Sequence, residues 1–160
     1  MKKIYMVQPN SIYGNSIYFP YAAGSLIAYA FNDEVIKDNY SFEKFFYKRE
    51  PIDKVIDQID NPFIVGFSCY VWNYEYNKAL AKAVKEKYPE CHIIFGGHNV
   101  LRDFETLDDC PEVDYLIYRE GEEAFRALLL CLLENKSPDA VENIAFRKNG
   151  KYFKTAEKAF

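Results

Sequence analysis

The apolar run FIVGF occupies residues 63–67 and directly follows Asn61-Pro62, a pair that ends a helical pattern. A second helical pattern begins a few residues later, near Tyr74. An uninterrupted apolar run of this length is typical of a central parallel strand that is buried on both faces. The run therefore predicts a strand in the middle of a parallel sheet, with helices packed against both faces.

Strand-like and helical patterns alternate on both sides of this run. Strands are predicted at residues 3–7, from about residue 35 with an extension at 42–47, and at 63–67, 92–95 and 113–118. Apolar residues at helical spacing predict helices at residues 21–31, 51–59, 74–88, 103–107 and 121–133. This alternation predicts a flavodoxin-like (Rossmann-like) α/β fold, a three-layer sandwich with a five-stranded parallel sheet of order 2-1-3-4-5.

The pattern changes after Ser137-Pro138. Residues 144–147 and 151–154 flank Lys148-Asn149-Gly150, and Asn-Gly is a preferred pair in tight hairpin turns. We therefore expect a C-terminal β-hairpin. We divide the chain into an α/β domain at residues 1–137 and a hairpin or connector at residues 138–160.

Composition excludes several classes of protein. The chain has 160 residues, 49% of them hydrophobic, which is enough for one core, and its formal net charge is -4. A nucleic-acid binder would carry a basic face, so we expect no nucleic-acid partner. No apolar run approaches the ~20 residues that span a bilayer, and the N-terminus lacks the features of a signal peptide. We therefore expect a cytoplasmic protein without a membrane partner.

The four cysteines, at positions 69, 91, 110 and 131, lie far apart in the sequence. Zinc and iron–sulfur sites usually need at least one close pair of cysteines, so we expect no metal-ligating residue in this chain. Reduced thiols that pack as small hydrophobic side chains are the expected state in the cytosol.

Aromatic residues make up 18% of the chain, with 14 Tyr, 13 Phe and one Trp. These rings can fill the core and the strand surfaces, or some of them can line a wide cleft for a large flat ligand. Composition leaves both interpretations open.

Ligands of open α/β sheets bind at the carboxyl ends of the strands, near the point where the strand order reverses. The loop after the first strand carries Asn10, Ser11 and Gly14, which either form a turn or contact a ligand. The chain contains neither a dinucleotide-binding nor a Walker glycine motif.

The loop after the third strand contains four candidate site residues. Ser68 ends the strand, so we expect its hydroxyl at the rim of a site. Tyr70 and Trp72 place two large rings at the edge of the sheet, where Trp72 either contacts a ligand or staples the next helix to the sheet. Asn73 is placed either to cap that helix or to contact the ligand.

The loop after the fourth strand contains Gly96, Gly97 and His98. Paired glycines allow the backbone to approach a ligand closely, but a tight turn alone can also require them. His98 is either a polar surface residue or a group that binds a ligand or transfers a proton.

The loop after the fifth strand contains Glu120, Gly121 and Glu122. The helix dipole favours acidic residues in the first turn of the helix that follows. This effect accounts for Glu122 better than for Glu120, which we expect at the rim of the site.

Three of these loops together resemble a known family. The strings VGFSCYVWN at residues 65–73, IIFGG at 93–97 and REGE at 119–122, with VDY at 113–115, resemble the cobalamin (vitamin B12)-binding domain at the N-terminus of radical S-adenosylmethionine (radical SAM) iron–sulfur enzymes. That family commonly shows a strand ending in Ser, a Gly-Gly pair, and Gly-Glu-Gly-Glu after the fifth strand. The final hairpin resembles the connector to the catalytic barrel, so the resemblance covers nearly the whole chain.

The resemblance implies that the corrin ring of cobalamin lies over the carboxyl ends of the strands and that its nucleotide tail inserts beside the sheet. Ser68, Gly96 and Gly97 would line the tail pocket, and residues 120–122 would shape the far rim. A 4Fe-4S cluster and S-adenosylmethionine would be bound only by a downstream radical SAM barrel of the same chain, which is the expected partner. The small-molecule substrate is not identified by this resemblance.

Two departures from the family pattern bear on the site. The first loop lacks the Asp-x-His-x-x-Gly motif whose histidine coordinates cobalt in related mutases and methyltransferases. Asn10 and Ile12 stand at the Asp and His places, and Gly14 lies one position before the Gly place, which Asn15 occupies. Arg119 stands at the place of the first glycine of the acidic motif. The resemblance therefore implies cobalamin held without a lower histidine ligand, or a degenerate domain that binds no cofactor.

The chain also lacks Cys-x-x-x-Cys-x-x-Cys, the motif that holds the iron–sulfur cluster of the family. We therefore expect no catalytic residue here, and we expect the 160 residues to be an N-terminal part of a longer enzyme. Two alternatives stay open: a docking domain of the same enzyme class with an empty site, and a stand-alone flavodoxin-like domain. A receiver domain is disfavoured because Gln8-Pro9-Asn10 and Ser68 stand where it needs acidic residues.

Overall fold

One seven-stranded sheet forms the centre of the molecule. The structure is a computed structural model that describes residues 1–14, 16–100 and 104–158. The strand order is β2-β1-β3-β4-β5-β6-β7. The bounds are β1 (Lys2–Val7), β2 (Tyr40–Phe46), β3 (Pro62–Ser68), β4 (His92–Gly96), β5 (Tyr115–Ile117), β6 (Ile144–Lys148) and β7 (Lys151–Lys154).

The five strands β1 to β5 pair in parallel, whereas β6 pairs antiparallel with β5 and β7 antiparallel with β6. The predicted parallel sheet of order 2-1-3-4-5 is therefore confirmed. The predicted hairpin is also confirmed, but it continues the same sheet, so the sheet has seven strands and not five. Asn149 and Gly150, at φ of 51° and 72°, form the hairpin turn with the positive dihedrals that the Asn-Gly pair predicts.

Among the described residues, six α-helices flank the sheet in two layers. Buried residues of α1, α2 and α6 pack on one face, and those of α3, α4 and α5 pack on the other. The bounds are α1 (Tyr21–Ala30), α2 (Glu34–Asn39), α3 (Ile52–Asp57), α4 (Tyr74–Lys87), α5 (Glu105–Asp109) and α6 (Glu122–Leu133). In the described part of the chain, no helix is both long and apolar enough to cross a membrane.

The run that predicted the central strand lies in β3, between β1 and β4. Ile64 packs into the core under α1 and α6, whereas Val65 and Phe67 pack into the core under α3 and α4. The strand is thus buried on both faces, as a continuous apolar run requires.

The prediction that the second strand begins near Val35 is wrong, because Val35 lies in α2. The Asp33 carboxylate accepts hydrogen bonds from the backbone N–H groups of Val35 and Ile36, which is a side-chain cap that starts a helix. Strand β2 therefore begins later, at Tyr40. The helix predicted at residues 103–107 is α5, whose described part begins at Glu105; residue 103 lies outside the described residues.

The chain between β1 and α1 forms a small antiparallel ribbon of Ile12–Tyr13 and Ser16–Ile17. Helix α1 then begins after Pro20, which offers no side-chain cap. Instead the buried Gln8 side chain, at the end of β1, accepts a hydrogen bond of 3.0 Å from the Ala23 N–H. This contact joins β1 to the helix that covers it.

Candidate ligand-binding site

A cavity of about 540 Å³ opens at the carboxyl ends of the strands, between the sheet and helices α1 and α6. Its volume is typical of small-molecule sites, which measure about 300–1,000 Å³. Alternate residues of the strands form its floor, because side chains two positions apart point to the same face of a sheet. The floor residues are Met6, Gly66, Ser68, Ile94, Gly96 and Ile117.

Two of these floor positions are glycines, and they make different contributions. A Cβ atom at Gly66 would lie 2.7 Å from the Met6 Sδ atom, so this glycine makes room for Met6. A Cβ atom at Gly96 would meet nothing closer than the Ile117 carbonyl oxygen at 3.6 Å. Gly96 therefore leaves space that belongs to the cavity.

Gly97 has a role in the backbone that Gly96 does not share. Its φ is 101°, and a Cβ atom there would lie 2.8 Å from the Cys69 carbonyl oxygen and 2.9 Å from the Cys69 nitrogen. In the same region the Cys69 N–H donates to the Gly96 carbonyl oxygen at 2.6 Å, and the Asn99 N–H donates to the Cys69 carbonyl oxygen at 3.0 Å. The absence of a side chain at Gly97 thus allows the backbones of the loops after β3 and β4 to pack directly against each other.

Ser68 supplies a polar group inside the cavity. The residue is only 5% exposed, and its hydroxyl makes no hydrogen bond to any residue that the structure describes. A hydroxyl that lines a cavity can donate a hydrogen bond to a ligand and accept one from it. The position is therefore suited to a polar atom of a ligand.

Two parallel rings stand at the mouth of the cavity. Tyr70 and Trp72 stack with centroids 4.6 Å apart and planes 5° apart, and His98 lies 5.7 Å from the Tyr70 ring. Tyr70 and His98 line the cavity. Trp72 is 52% exposed and stacks on Tyr70, so it lies on the surface of the rim and does not staple the next helix to the sheet.

Asn73 lies beneath this rim and is 1% exposed. Its side chain does not cap α4. Its Oδ1 accepts from the Tyr70 N–H at 2.8 Å, and its Nδ2 donates to the carbonyl oxygens of Pro9 at 3.2 Å and Ser68 at 3.0 Å. Asn73 fastens the loops after β1 and β3 to each other, and it does not line the cavity.

The acidic loop forms the opposite wall, where residues 118–122 line the cavity. The Ser25 hydroxyl of α1 donates to the Glu122 carboxylate at 2.7 Å, which joins the two helices that flank the cavity. A Cβ atom at Gly121 would lie 3.1 Å from a Leu26 methyl carbon, so the start of α6 packs closely on α1. Glu120 is exposed at the rim.

The three candidates of the first loop lie outside the cavity. Asn10 donates from Nδ2 to the Tyr18 carbonyl oxygen at 2.9 Å, and Ser11 is exposed. Gly14, at φ of 58°, forms the turn of the ribbon. These contacts match the turn-forming interpretation of the loop.

Several cavity residues were not singled out from the sequence. They are the floor and wall residues Met6, Ala22, Leu26, Gly66, Phe67, Ile94, Val100, Ile117, Tyr118 and Phe125. Arg119, noted in the sequence only as a departure from the family pattern, also lines the cavity. A signal for one of them, Gly66, exists, because a glycine inside an apolar strand marks a close approach, and Gly66 lies two positions before Ser68 on the same face. The helix residues could be found only from the packing of α1 and α6 on the sheet.

Three of the four cysteines are core residues. Cys69, Cys91 and Cys110 are buried, and burial raises the pKa of each thiol to about 12. Cys131 is half-buried. Among residues 1–14, 16–100 and 104–158, no group of three or more His, Cys, Asp or Glu side chains could hold a metal ion.

Sequence comparison extends these observations. The B12 binding domain family matches residues 25–129 of the chain. The cobalamin-dependent radical SAM methyltransferase TokK of Streptomyces tokunonensis is 36% identical over 150 residues, covering 92% of this chain and 21% of that protein. The 2-(S-pantetheinyl)-carbapenam-3-carboxylate methyltransferase of Streptantibioticus cattleyicolor is 32% identical over 130 residues, covering 81% of this chain and 18% of that protein. The chain thus spans about a fifth of the length of these relatives.

Solved structures share the fold. The cobalamin-dependent S-adenosylmethionine radical enzyme OxsB, with aqua-cobalamin and S-adenosylmethionine bound, matches at a TM-score of 0.77 and 17% identity, covering 100% of this chain and 23% of that chain. The radical S-adenosylmethionine methyltransferase TsrM from Kitasatospora setae, with cobalamin and a [4Fe-4S] cluster bound, matches at a TM-score of 0.69 and 13% identity. The match covers 98% of this chain and 31% of that chain. The resemblance drawn from the strand-end loops is confirmed: the chain belongs to the B12-binding domain family.

Proposed function

We propose that this chain binds cobalamin as the N-terminal module of a radical SAM enzyme. The nucleotide tail of the cofactor occupies the cavity between the sheet and helices α1 and α6, and the corrin ring lies over the carboxyl ends of the strands. The observation that carries this proposal is the cavity itself, which opens at Ser68 and Gly96 where the family resemblance expects the tail pocket.

The residues of the cavity fit such a tail. A nucleotide tail carries a flat apolar base together with hydroxyl and phosphate oxygens. The apolar floor of Met6, Ile94 and Ile117 suits the base, and the Ser68 hydroxyl, without a partner among the described residues, suits a polar atom. Gly96 leaves the space for both.

The rim offers contacts for the corrin ring. Tyr70 and Trp72 present stacked rings, and His98 lies beside Tyr70. Large exposed apolar side chains such as Phe19 and Val71, at 74% and 82% exposure, also lie in the loops at this end of the sheet. An apolar rim of this kind suits a large flat macrocycle.

The chain holds cobalamin without a lower histidine ligand. It has two histidines. His92 is the first residue of β4, at the opposite end of the sheet, and His98 lies at the rim beside Tyr70. The loop after β1, from which a histidine would coordinate cobalt, contains none.

When bound, cobalamin supplies a cobalt centre that can carry a methyl group, which is the chemistry that the names of the methyltransferase relatives indicate. The residues of this chain bind and orient the cofactor, and we propose that none of them is catalytic. We propose that the 4Fe-4S cluster, S-adenosylmethionine and the small-molecule substrate are bound by a downstream barrel that follows the connector at residues 138–160.

A docking domain with an empty site is the second candidate. This alternative expects a flat, filled rim over Gly96 and Gly97. The structure has an open cavity at these glycines, which supports the binding function.

Titration of the purified chain with hydroxocobalamin tests the proposal. We expect saturable binding in equilibrium dialysis and a shift of the cobalamin absorption spectrum. At a ligand concentration of about 100 times Kd, mass action stabilises the native state by about 2.7 kcal/mol, which raises Tm by roughly 5–10 °C for a domain of this size. If cobalamin causes neither a spectral change nor stabilisation, the result supports the docking function instead.

A variant that fills the cavity locates the site. Gly96→Leu places a side chain where the tail should lie, and we expect the Kd for cobalamin to rise about tenfold or more. Val35→Leu is the control, because Val35 is 51% exposed on α2 and does not line the cavity. Unchanged binding by a folded Gly96→Leu protein would show that the tail lies elsewhere.

A further inference from the structure

Arg119 has an unusual backbone conformation for its residue type. Its φ is 57°, in the left-handed region that favours glycine, because the Cβ atom of an L-residue is crowded there. The residue stands in the loop between β5 and α6 and lines the cavity. A strained conformation persists only where the surrounding contacts hold it, so the contacts of the Arg119 side chain are informative.

Those contacts lead away from the cavity to the segment that follows the hairpin. Arg119 donates from Nε at 3.2 Å and from Nη2 at 2.8 Å to one carboxylate oxygen of Glu157. Lys154 lies 2.7 Å from the other Glu157 oxygen. The hydrogen bonds from Lys154 and Arg119 lower the pKa of the Glu157 carboxyl to about 2, so the pair stays charged across the physiological range. Glu157 itself does not line the cavity.

Residues 155–158, which we call the strap, are anchored to the same corner of the sheet by Asn143. The Asn143 side chain donates to the Lys158 carbonyl oxygen at 3.1 Å and accepts from the Lys158 N–H at 2.8 Å. The Asn143 carbonyl oxygen accepts from the N–H of Tyr118, the residue before Arg119, at 2.9 Å. The strap therefore lies beside the loop that forms one wall of the cavity.

We propose that Arg119 couples the cofactor site to the strap, by engaging an acceptor oxygen of the bound cofactor while its other nitrogens hold Glu157. The proposal rests on the cobalamin-binding function. Cobalamin carries amide carbonyl and phosphodiester oxygens that can accept such a bond. The Nη1 atom of Arg119 makes no hydrogen bond within the described part of the chain, so it is available for this contact.

Coupling of this kind is reciprocal. A ligand that binds better when the strap is in place must hold the strap in place to the same extent. The bound cofactor would thereby hold residues 155–158 in place. Arg119 and Glu157 are positioning residues in this scheme, and neither takes part in chemistry.

Three variants and one control separate coupling from simple contact. Glu157→Gln loosens the ion pair from outside the cavity. Arg119→Gly removes the ion pair and any contact to the ligand, and it suits the positive φ, so the fold is retained. Glu134→Gln is the control, because Glu134 pairs with Lys136 at the far end of α6 and not at the cavity. Arg119→Lys keeps the charge but cannot bond both partners through a planar fork.

Hydroxocobalamin affinity and hydrogen exchange of residues 155–158, measured by mass spectrometry with and without cobalamin, test the proposal. We expect cobalamin to slow exchange of the strap in the wild-type protein. We expect Glu157→Gln and Arg119→Gly to weaken binding about fivefold, at the low end of typical coupling because the pair is partly exposed, and to abolish the exchange response. Arg119→Lys should be intermediate and Glu134→Gln unchanged.

Each failure has a distinct signature. If the wild-type protein does not bind cobalamin, the proposed function is wrong and the coupling with it. If the wild-type protein and Glu157→Gln bind cobalamin equally and the strap exchanges at the same rate with and without it, the coupling alone is overturned.

Discussion

Gly97 has a φ of 101°, and a Cβ atom there would lie 2.8 Å from the carbonyl oxygen of Cys69. At the preceding residue, Gly96, the nearest atom to such a Cβ is 3.6 Å away. Both glycines belong to the same predicted pair, and from the sequence each could serve either a turn or a ligand. At the level of single residues, the structure assigns the turn to Gly97 and the open space to Gly96.

The two substitutions to alanine should therefore differ. We expect Gly97→Ala to lower the free energy of unfolding by about 1–3 kcal/mol, because it combines a strained φ with contact to fixed backbone atoms. Gly96→Ala should change it by less than about 0.5 kcal/mol. Urea denaturation followed by circular dichroism measures both. Equal losses for the two variants would contradict the assignment.

At the level of elements, the loops at the carboxyl end are bound to one another by buried amides. Asn73 holds the loop after β1 through the Pro9 carbonyl oxygen and the end of β3 through the Ser68 carbonyl oxygen. Asn77 of α4 is also buried and donates to the Ser68 carbonyl oxygen at 3.3 Å. The rim is thus set by polar contacts between loops and not only by the strands.

We expect Asn73→Ala to lower the free energy of unfolding by about 2–4 kcal/mol, since it removes several buried hydrogen bonds and leaves two carbonyl oxygens without this donor. The matched control is Asn39→Ala, where an exposed amide donates to the Val35 carbonyl oxygen four residues earlier. Its cost should stay within about 0.5 kcal/mol. A cost for Asn73→Ala as small as the control's would show that the loops are held by other contacts.

At the level of the whole molecule, a row of rings crosses the sheet at the end opposite the cavity. His92 packs against Phe63 with centroids 5.0 Å apart and against Tyr115 with centroids 5.9 Å apart. Burial lowers the pKa of His92; Lys85 adds to this effect and Asp114 opposes it. The folded state therefore favours the neutral imidazole.

This predicts loss of stability on mild acidification. Because the folded pKa of His92 lies below the unfolded value of about 6.5, the unfolded chain binds the proton first as the pH falls. The free energy of unfolding should be constant above pH 7 and decline from about pH 6.5 downward, by at most about 1.4 kcal/mol per pH unit for one group. Urea denaturation between pH 7.5 and 5 should show this decline.

The matched variants are His92→Phe and His98→Gln. The first should flatten the decline between about pH 6.5 and 5. The second replaces a histidine that is exposed at the rim, outside the row of rings, and serves as the control. If His92→Phe keeps the full decline, other groups cause it.

Much of the fold follows from the sequence because its cues are local. The apolar run of β3, the helical spacing of α4 and α6 and the Asn-Gly turn are each contained within a few residues. The second strand was placed too early because the Asp33 cap and the residues after it are compatible with either element. Such a short segment is decided by tertiary packing.

The sequence by itself determined the alternating parallel architecture, the hairpin and the family, since hydrophobic periodicity and the strand-end motifs are properties of neighbouring residues. Only the tertiary structure decided which of the candidate residues share a cavity, because the loops meet through contacts between distant positions. It places Ser68 and Gly96 in the cavity. It also buries Asn73, whose side chain joins the loops after β1 and β3, and pairs Arg119 with Glu157. Such pairings depend on how the strands and helices pack, which no local pattern specifies.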